Sequence, residues 1–300
     1  MDKNTVEIDL KEIFSILLSN KTIIFFLVTF SSVVSVYIAL QMPNIYQSSS
    51  LLTVSSSSAA PSSSISSQLG SLGAIAGINL QSDSQDRASL AVNTIKSRNF
   101  FKKLITDDII LANLMASKSY NPITKEISYD DTKFDQVNKK WIQSKPSILV
   151  AHEKYIGSIL KVNKDRKTNY ITISVDHISP VFAEYFLSSI INTLNQYIRS
   201  EDLKDSMAAT EYLNKRLSET SILEVRKSLN NLIESQLKTQ MLANVKENYI
   251  LQPIDPPFVP EKKYLPQRSV VSITGFFIGL IGAIFLVLAR HFFFLKRKTN

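Results

Sequence analysis

The chain has 300 residues, of which 44% are hydrophobic and 20% charged, and its formal net charge is +8. Its mean hydropathy of +0.03 is high for a soluble chain with this charge content. The lack of cysteine excludes thiolate metal sites, a catalytic cysteine and disulfides. With only 3 histidines and 7 glycines, the composition argues against a His-ligated metal and a Gly-rich nucleotide-binding fold. We therefore expect no cofactor and no metal.

The positive net charge does not predict a nucleic-acid partner. Nucleic-acid binding needs a basic stripe with interleaved aromatic residues or a known module. Here the basic residues are dispersed among acidic ones, and the densest basic cluster is a short tail, residues 290–300. This tail is interpreted as a topology signal that contacts lipid headgroups.

Two uncharged stretches, residues 22–40 and 269–289, predict transmembrane helices. Each is close to the roughly 20 residues that a helix needs to cross the bilayer core. The first follows an amphipathic lead, residues 1–21, and no clear cleavage site comes after it. It is therefore predicted to be an uncleaved anchor rather than a signal peptide.

Basic residues near the two spans predict the orientation of the chain. Lys11 and Lys21 precede the first span, and Arg290 and three further basic residues follow the second. Because such flanks resist translocation, both termini are predicted to be cytoplasmic. Residues 41–268 would then lie outside the inner membrane, which is the periplasm of a Gram-negative cell.

The segment 41–268 predicts a mixture of strands and helices, which is an α+β fold class. Strands are expected over 45–54, 155–162 and 169–176, the last two forming a hairpin. Residues 84–115 have helical periodicity with a break near Asn99 or Asp107, and a short helix is expected over 134–143. Residues 120–131 are expected to be a loop. The Ser-rich residues 55–79 predict a mobile loop, whose apolar part, 69–80, is either a packed turn or a flap that contacts a partner.

The turn of the predicted hairpin is basic. Lys164, Arg166 and Lys167 could contact phosphate or an acidic sugar, although a solvated turn is the simpler interpretation. His152 and His177 are interpreted as surface or strand-end histidines.

Residues 181–252 contain neither glycine nor proline, which predicts a long helix over about 181–248. Apolar residues recur at steps of three and four, which predicts a seam that meets other copies of the chain. Its members are Ile222, Val225, Leu229 and Leu232. The alternative is a break near residues 218–221, after which the helix folds back on itself.

Prolines then predict a stiff, extended spacer over 253–266. They are Pro253, Pro256, Pro257, Pro260 and Pro266. The second span carries small residues at spacings that allow close helix packing, within the protein or between copies. They are Gly275, Gly279, Gly282 and Ala283.

Taken in order, these segments resemble the polysaccharide co-polymerase family, and within it the Wzz-like determinants of lipopolysaccharide O-antigen chain length. The resemblance is carried by EIDLKEIFSILLSNKTII, NIYQSSSLLTV, SRNFFKKLI, the run from ITISVDHISP into the long helix, and the Pro-rich entry to the second span. It covers nearly the whole chain and is strongest in the arrangement of the segments.

The resemblance implies an inner-membrane protein with a periplasmic α/β base, a long projecting helix and assembly into a homo-oligomeric ring. It implies control of how many repeat units a Wzy-type polymerase adds to a lipid-linked glycan. It brings no catalytic residues, so we expect a protein that is not an enzyme. Larger relatives carry a kinase after the second span, for which the 290–300 tail leaves no room.

The sequence leaves three alternative functions to compare with this one. A co-polymerase of a capsule or exopolysaccharide exporter shares the architecture and is the alternative. A periplasmic sensor would need a cytoplasmic signalling module, and an efflux adaptor would usually lack the second span.

Overall fold

The computed structural model describes residues 10–55 and 84–298, which form two units. The membrane unit contains α1 (Leu10–Ser19), α2 (Lys21–Gln41) and α9 (Arg268–Lys298). The stretches Lys21–Gln41 and Arg268–His291 are long and apolar enough to cross a membrane. Both helices therefore agree with the spans predicted from the sequence. Their large apolar side chains, Phe25, Phe26 and Phe285 among them, are exposed on the unit's surface.

The second unit, Tyr46–Lys262, contains a four-stranded antiparallel sheet. Its strands are β1 (Tyr46–Val54), β6 (Leu160–Lys164), β7 (Ile171–His177) and β8 (Leu251–Asp255), in the order β6-β7-β1-β8. In β7, Ile171, Ile173 and Val175 are buried, as their alternation predicts. The sheet thus joins the first strand of this unit to its last.

Among its described residues, this unit also contains the helices α3 (Ser84–Lys96), α4 (Arg98–Leu104), α5 (Asp108–Ala116), α6 (Ile148–Lys154), α7 (Pro180–Glu219) and α8 (Leu223–Val245). Of these, α7 packs on β1 and β7, and α8 packs on α7. The sequence predicts one break, near Asn99 or Asp107, and the structure has a break at each place, which gives the three helices α3, α4 and α5. Ser97 accepts a hydrogen bond from Phe100 N–H and Asp107 accepts one from Ile109 N–H, so each caps a new helix. Phe100, Phe101 and Phe186 lie in the shared hydrophobic core.

Two predicted elements are wrong. The expected loop 120–131 contains the hairpin of β2 (Ser117–Asn121) and β3 (Glu126–Tyr129). The expected helix 134–143 is instead a hairpin of β4 (Phe134–Asp135) and β5 (Lys140–Trp141). The Asp135 carboxylate accepts hydrogen bonds from the N–H groups of Val137 and Asn138, which stabilises a turn where a helix was expected.

Two other expectations need correction. The strand expected from Tyr155 begins only at Leu160, because Tyr155–Ile159 continues α6 as a π-helical turn. The predicted helix 181–248 is two helices, α7 and α8, and Thr220 between them has an extended backbone. The alternative, in which the helix breaks and folds back, is therefore the one observed. The Ser-rich loop and the 69–80 flap lie outside the described residues.

Candidate functional site

The two candidate spanning helices, α2 and α9, pack closely inside the membrane unit. Ser31 Oγ donates to the Gly275 carbonyl at 2.9 Å, and Ser35 Oγ donates to the Val271 carbonyl at 2.8 Å. Between membrane helices, small residues and serine hydroxyls provide the packing and polar contacts that water-driven burial cannot. This interface therefore holds the two ends of the chain together.

Three of the four small residues predicted from the sequence lie on this interface. A Cβ atom on Gly275 would lie 2.2 Å from Ser35 Cβ, and one on Gly279 would lie 2.6 Å from Ser31 Cβ. Ala283 is 1% exposed. At Gly282 a Cβ atom would have no neighbour within 4 Å, so this glycine is not part of the contact. The close approach is within one chain and depends on Gly275 and Gly279.

In the second unit, α7 and α8 form an antiparallel hairpin. Arg226 Nη1 donates to the carbonyls of Leu217 and Thr220 and so caps the end of α7. Farther along, Gln240 Nε2 donates to Thr210 Oγ1 at 3.1 Å. These bonds join α8 to α7 along its length, and they explain why the chain reverses without glycine or proline.

The predicted seam divides between the hairpin and its surface. Leu229 and Leu232 are half-buried on the side of α8 that packs against α7. Ile222 and Val225 are exposed at the turn between the helices. Half of the seam therefore packs within the chain, and only the part near the turn is free to meet another copy.

A second apolar stripe continues along the outer side of α8. Leu237, Met241 and Val245 are spaced four residues apart and are 50%, 55% and 76% exposed. Residues at this spacing lie above one another on one helix face. Their spacing is visible in the sequence. Only the structure shows that no other part of the described chain packs on them.

Buried polar groups tie α7 to the returning chain. Asn195 Oδ1 accepts hydrogen bonds from the N–H groups of Ile250 and Leu251, and its Nδ2 donates to the Leu251 carbonyl at 3.0 Å. Asn195 is buried, so these three bonds replace those that water would make. This side chain fixes the point at which β8 enters the sheet, and no sequence motif indicated its role.

A charged cluster lies farther along α7, around Asp202. Both terminal nitrogens of Arg87 donate to Asp202 Oδ2 at 3.1 Å, and the Tyr249 hydroxyl donates to the same oxygen at 2.7 Å. Burial, assisted by the Asp202 charge, raises the pKa of Tyr249 to about 12. The cluster joins α3, α7 and the segment before β8.

His177 lies at the junction of β7 and α7 and is buried rather than on the surface. Its Nδ1 accepts a hydrogen bond from Ser179 N–H at 3.1 Å, so its Nε2 carries the proton that it shares with the Asn113 carbonyl at 2.9 Å. Burial lowers the pKa of His177 to about 4. The imidazole is thus a neutral connector between α5 and the start of the long helix.

The basic turn is largely solvated. Arg166 and Lys167 are exposed, while Lys164 is half-buried and donates to Ser89 Oγ at 3.2 Å. Asp165 accepts bonds from the N–H groups of Lys167 and Thr168, and these bonds hold the pKa of its carboxyl below the usual range. An acid therefore lies within the basic turn, and Lys164 points to α3 rather than into a shared pocket.

The Pro-rich segment is only partly a spacer. Pro253 pairs with Leu52 inside β8, which is an edge strand and therefore tolerates a residue without an N–H group. Pro256, Pro257 and Pro260 follow in backbone that forms neither helix nor strand. The spacer accordingly begins after Asp255 rather than at Pro253.

In the chain, one candidate spanning helix precedes the large α+β unit and another follows it. This order is typical of membrane proteins with two spans. Residues 6–107 match the family model described as Wzz, chain length determinant protein. The match covers less than half of the chain and agrees, over this segment, with the resemblance to chain length determinants. It includes α2, β1 and the helices α3 and α4.

Among solved structures, the chain is similar to a full-length bacterial polysaccharide co-polymerase, with 12% identity, a TM-score of 0.42, and 97% of this chain and 99% of the other covered. It is also similar to a fragment of the co-polymerase WzzB from Salmonella Typhimurium, with 11% identity, a TM-score of 0.29, and coverages of 74% and 100%. No curated protein matched the chain. Because both TM-scores are below 0.5, the roles proposed below rest on the family match and on contacts within this chain.

Proposed function

We propose that the protein is a non-enzymatic regulator of polysaccharide chain length that acts in the inner membrane beside an O-antigen polymerase of the Wzy type. The family match over residues 6–107 carries this proposal. Two candidate spanning helices, one before and one after the large α+β unit in the sequence, support it. In this proposal the lipid-linked glycan grows on the polymerase, and the co-polymerase determines when growth stops.

The proposed topology places both termini in the cytoplasm and residues 41–268 in the periplasm. Lys11 before α2, Lys21 at its start, and Arg290 with the other basic residues at the end of α9 favour retention of these flanks inside. The intervening segment has 27 basic and 22 acidic residues, which does not oppose export because long segments translocate largely regardless of charge.

The active form in this proposal is a homo-oligomer. The exposed stripe of Leu237, Met241 and Val245 is an apolar surface on α8. Burying such a stripe against a second copy removes apolar area from water, at roughly 25 cal/mol per Å². A ring of copies would present a repeated surface, so polymer length would reflect how long the glycan stays engaged.

Deletion of the gene tests the function. The lipopolysaccharide ladder on a silver-stained gel should change from a clustered distribution of lengths to an unregulated one. The chain supplied from a plasmid should restore the cluster, whereas an empty plasmid should not. An unchanged ladder, together with an altered size distribution of capsule or exopolysaccharide, would assign the protein to the alternative polymer system.

A further inference from the structure

The segments that leave α2 and enter α9 are tied together by backbone hydrogen bonds. Ile45 N–H donates to the Leu265 carbonyl at 2.9 Å, and Tyr264 N–H donates to the Ile45 carbonyl at 2.8 Å. This bridge lies three residues before the first residue of α9. It therefore fixes residues 263–268 beside residues 44–45, at one end of both candidate spanning helices.

Two basic side chains flank this bridge. Lys263 is exposed, and Arg268 is half-buried with Nη2 donating to Asn44 Oδ1 at 3.3 Å. Arg268 Nε is buried without a hydrogen-bond partner. No ion pair joins either residue to an acid within residues 10–55 and 84–298, and the nearest acid in the sequence, Glu261, is exposed. The site thus has two positive charges that no acid within the described residues pairs with.

The positive charges of Lys263 and Arg268 are unfavourably placed in two respects. Basic residues near spans are favoured on the cytoplasmic side, whereas the proposed topology places Lys263 and Arg268 outside. Arg268 is also the first residue of α9, where the helix dipole is positive and where the first turn has no acid. An anion bound at this point would relieve both unfavourable interactions.

We propose that Lys263 and Arg268 bind the phosphate of a membrane lipid at the outer surface of the bilayer. This inference rests on the proposed topology. A guanidinium group and a lysine ammonium both attract phosphate oxygens through their positive charge. Tyr264 between them is 42% exposed, and tyrosine is typical of the headgroup level. The partner is therefore lipid-borne phosphate, of a phospholipid or of a polyprenyl diphosphate.

The test uses the full chain in neutral detergent and counts retained lipids by native mass spectrometry. The parent protein carries Lys296→Gln, Arg297→Gln and Lys298→Gln, which removes the tail that also attracts anionic lipids. Separate titrations use phosphatidylglycerol, a polyprenyl diphosphate, phosphatidylcholine and inorganic phosphate. The variant is Lys263→Gln with Arg268→Gln, and its control is the charge-retaining Lys263→Arg with Arg268→Lys.

The double Gln variant should bind the favoured anionic lipid about 25-fold more weakly, or about fivefold for each charge removed. The charge-retaining control should stay within about threefold of the parent. The anionic lipid, phosphatidylglycerol or polyprenyl diphosphate, for which the Gln variant loses more affinity is the one that supplies the phosphate. Equal binding by the Gln variant and the parent, or equal binding of phosphatidylcholine, would overturn the proposal, as would inorganic phosphate that competes as well as lipid.

If the double variant does not fold, the two single Gln variants replace it. Each should bind the anionic lipid about fivefold more weakly than the parent. The result is also separable from the proposed function. If the double Gln variant binds lipid like the parent while gene deletion still changes the ladder, only the phosphate site is refuted. An unchanged ladder after gene deletion would refute the function and leave the measured lipid affinity as it is.

Discussion

The contact between α2 and α9 can be tested by adding a single methyl group. Replacing Gly275 by Ala puts a Cβ atom 2.2 Å from Ser35 Cβ and 2.2 Å from Ser35 Oγ. Carbon atoms in contact prefer about 3.5–4.0 Å, so the helices must separate by roughly 1.5 Å or Ser35 must change its rotamer. Either movement breaks the 2.8 Å bond from Ser35 to the Val271 carbonyl.

The expected destabilisation of the helix pair is about 2–3 kcal/mol. Forcing an extra carbon into a packed interface costs about 1–3 kcal/mol. Losing one hydrogen bond between membrane helices adds about 0.6 kcal/mol. Gly279→Ala should cost less, because its Cβ atom would meet Ser31 Cβ at the longer distance of 2.6 Å.

Energy transfer between two dyes measures the separation of the helices. Because the chain has no natural cysteine, cysteines replacing Met42 and Gln267 can be labelled selectively at the ends of α2 and α9. Labelled protein is diluted with unlabelled protein, which suppresses transfer between copies. A titration with sodium dodecyl sulfate then gives the free energy of helix separation for each glycine variant.

Gly282→Ala is the matched control, because its added Cβ atom has no neighbour within 4 Å. It changes the same residue type in the same helix and should alter the free energy by less than about 0.5 kcal/mol. If Gly275→Ala and Gly282→Ala separate at the same detergent fraction, α2 and α9 do not pack through the face described above.

Three further predictions concern the second unit. His177→Gln should remove a pH dependence of stability. Burial holds the folded pKa of His177 at about 4, below its usual 6.5, so the unfolded chain binds the proton first as pH falls. The wild type should lose about 3 kcal/mol of unfolding free energy between pH 6.5 and about 4, and keep it above pH 6.5. Asn195→Leu leaves three backbone groups of residues 250–251 without their partner and should cost about 3–5 kcal/mol in urea unfolding. Changing Leu237, Met241 and Val245 to Gln should lower the oligomer mass measured by mass photometry while circular dichroism stays unchanged.

Each of these predictions has its own control. For His177, the difference between variant and wild type at pH 8 is the baseline, and a difference that does not change down to pH 4 would contradict a neutral buried imidazole. For Asn195, the control is the exposed Asn244→Leu, which should be nearly neutral. For the stripe, the control changes three exposed charged residues of α7 to Gln: Lys204, Glu211 and Lys215. Equal loss of mass in the control and the stripe variant would show that the stripe is not the contact surface.

The spans and the central strands could be predicted because their signals are local. An uncharged stretch of about 20 residues and a strict alternation such as Ile171, Ile173 and Val175 need no knowledge of distant residues. The sequence also indicated a break near Asn99 or Asp107. The structure shows the local cause, because Ser97 and Asp107 each cap a new helix by accepting from an N–H group two or three residues away.

The two small hairpins could not be predicted in this way. Strands of two to five residues are too short for a clear period, and their stability depends on partners elsewhere. Phe134, for example, packs against Trp141 across the hairpin and against Tyr129 of the preceding one, with ring centroids 5.2 Å apart in each case. The roles of Asn195 and His177 were missed for the same reason, since their partners lie far away in the sequence.

The reversal between α7 and α8 shows how one periodic pattern can serve two surfaces. Leu232 and Met241 are nine residues apart, which at about 100° per residue puts them on opposite sides of α8. A hairpin of two helices can cover only one of these sides, and the one that carries Leu229 and Leu232 faces α7. The other side keeps Met241 exposed at 55%. The proposed oligomer would cover this second stripe, and the Gln substitutions at Leu237, Met241 and Val245 test that contact.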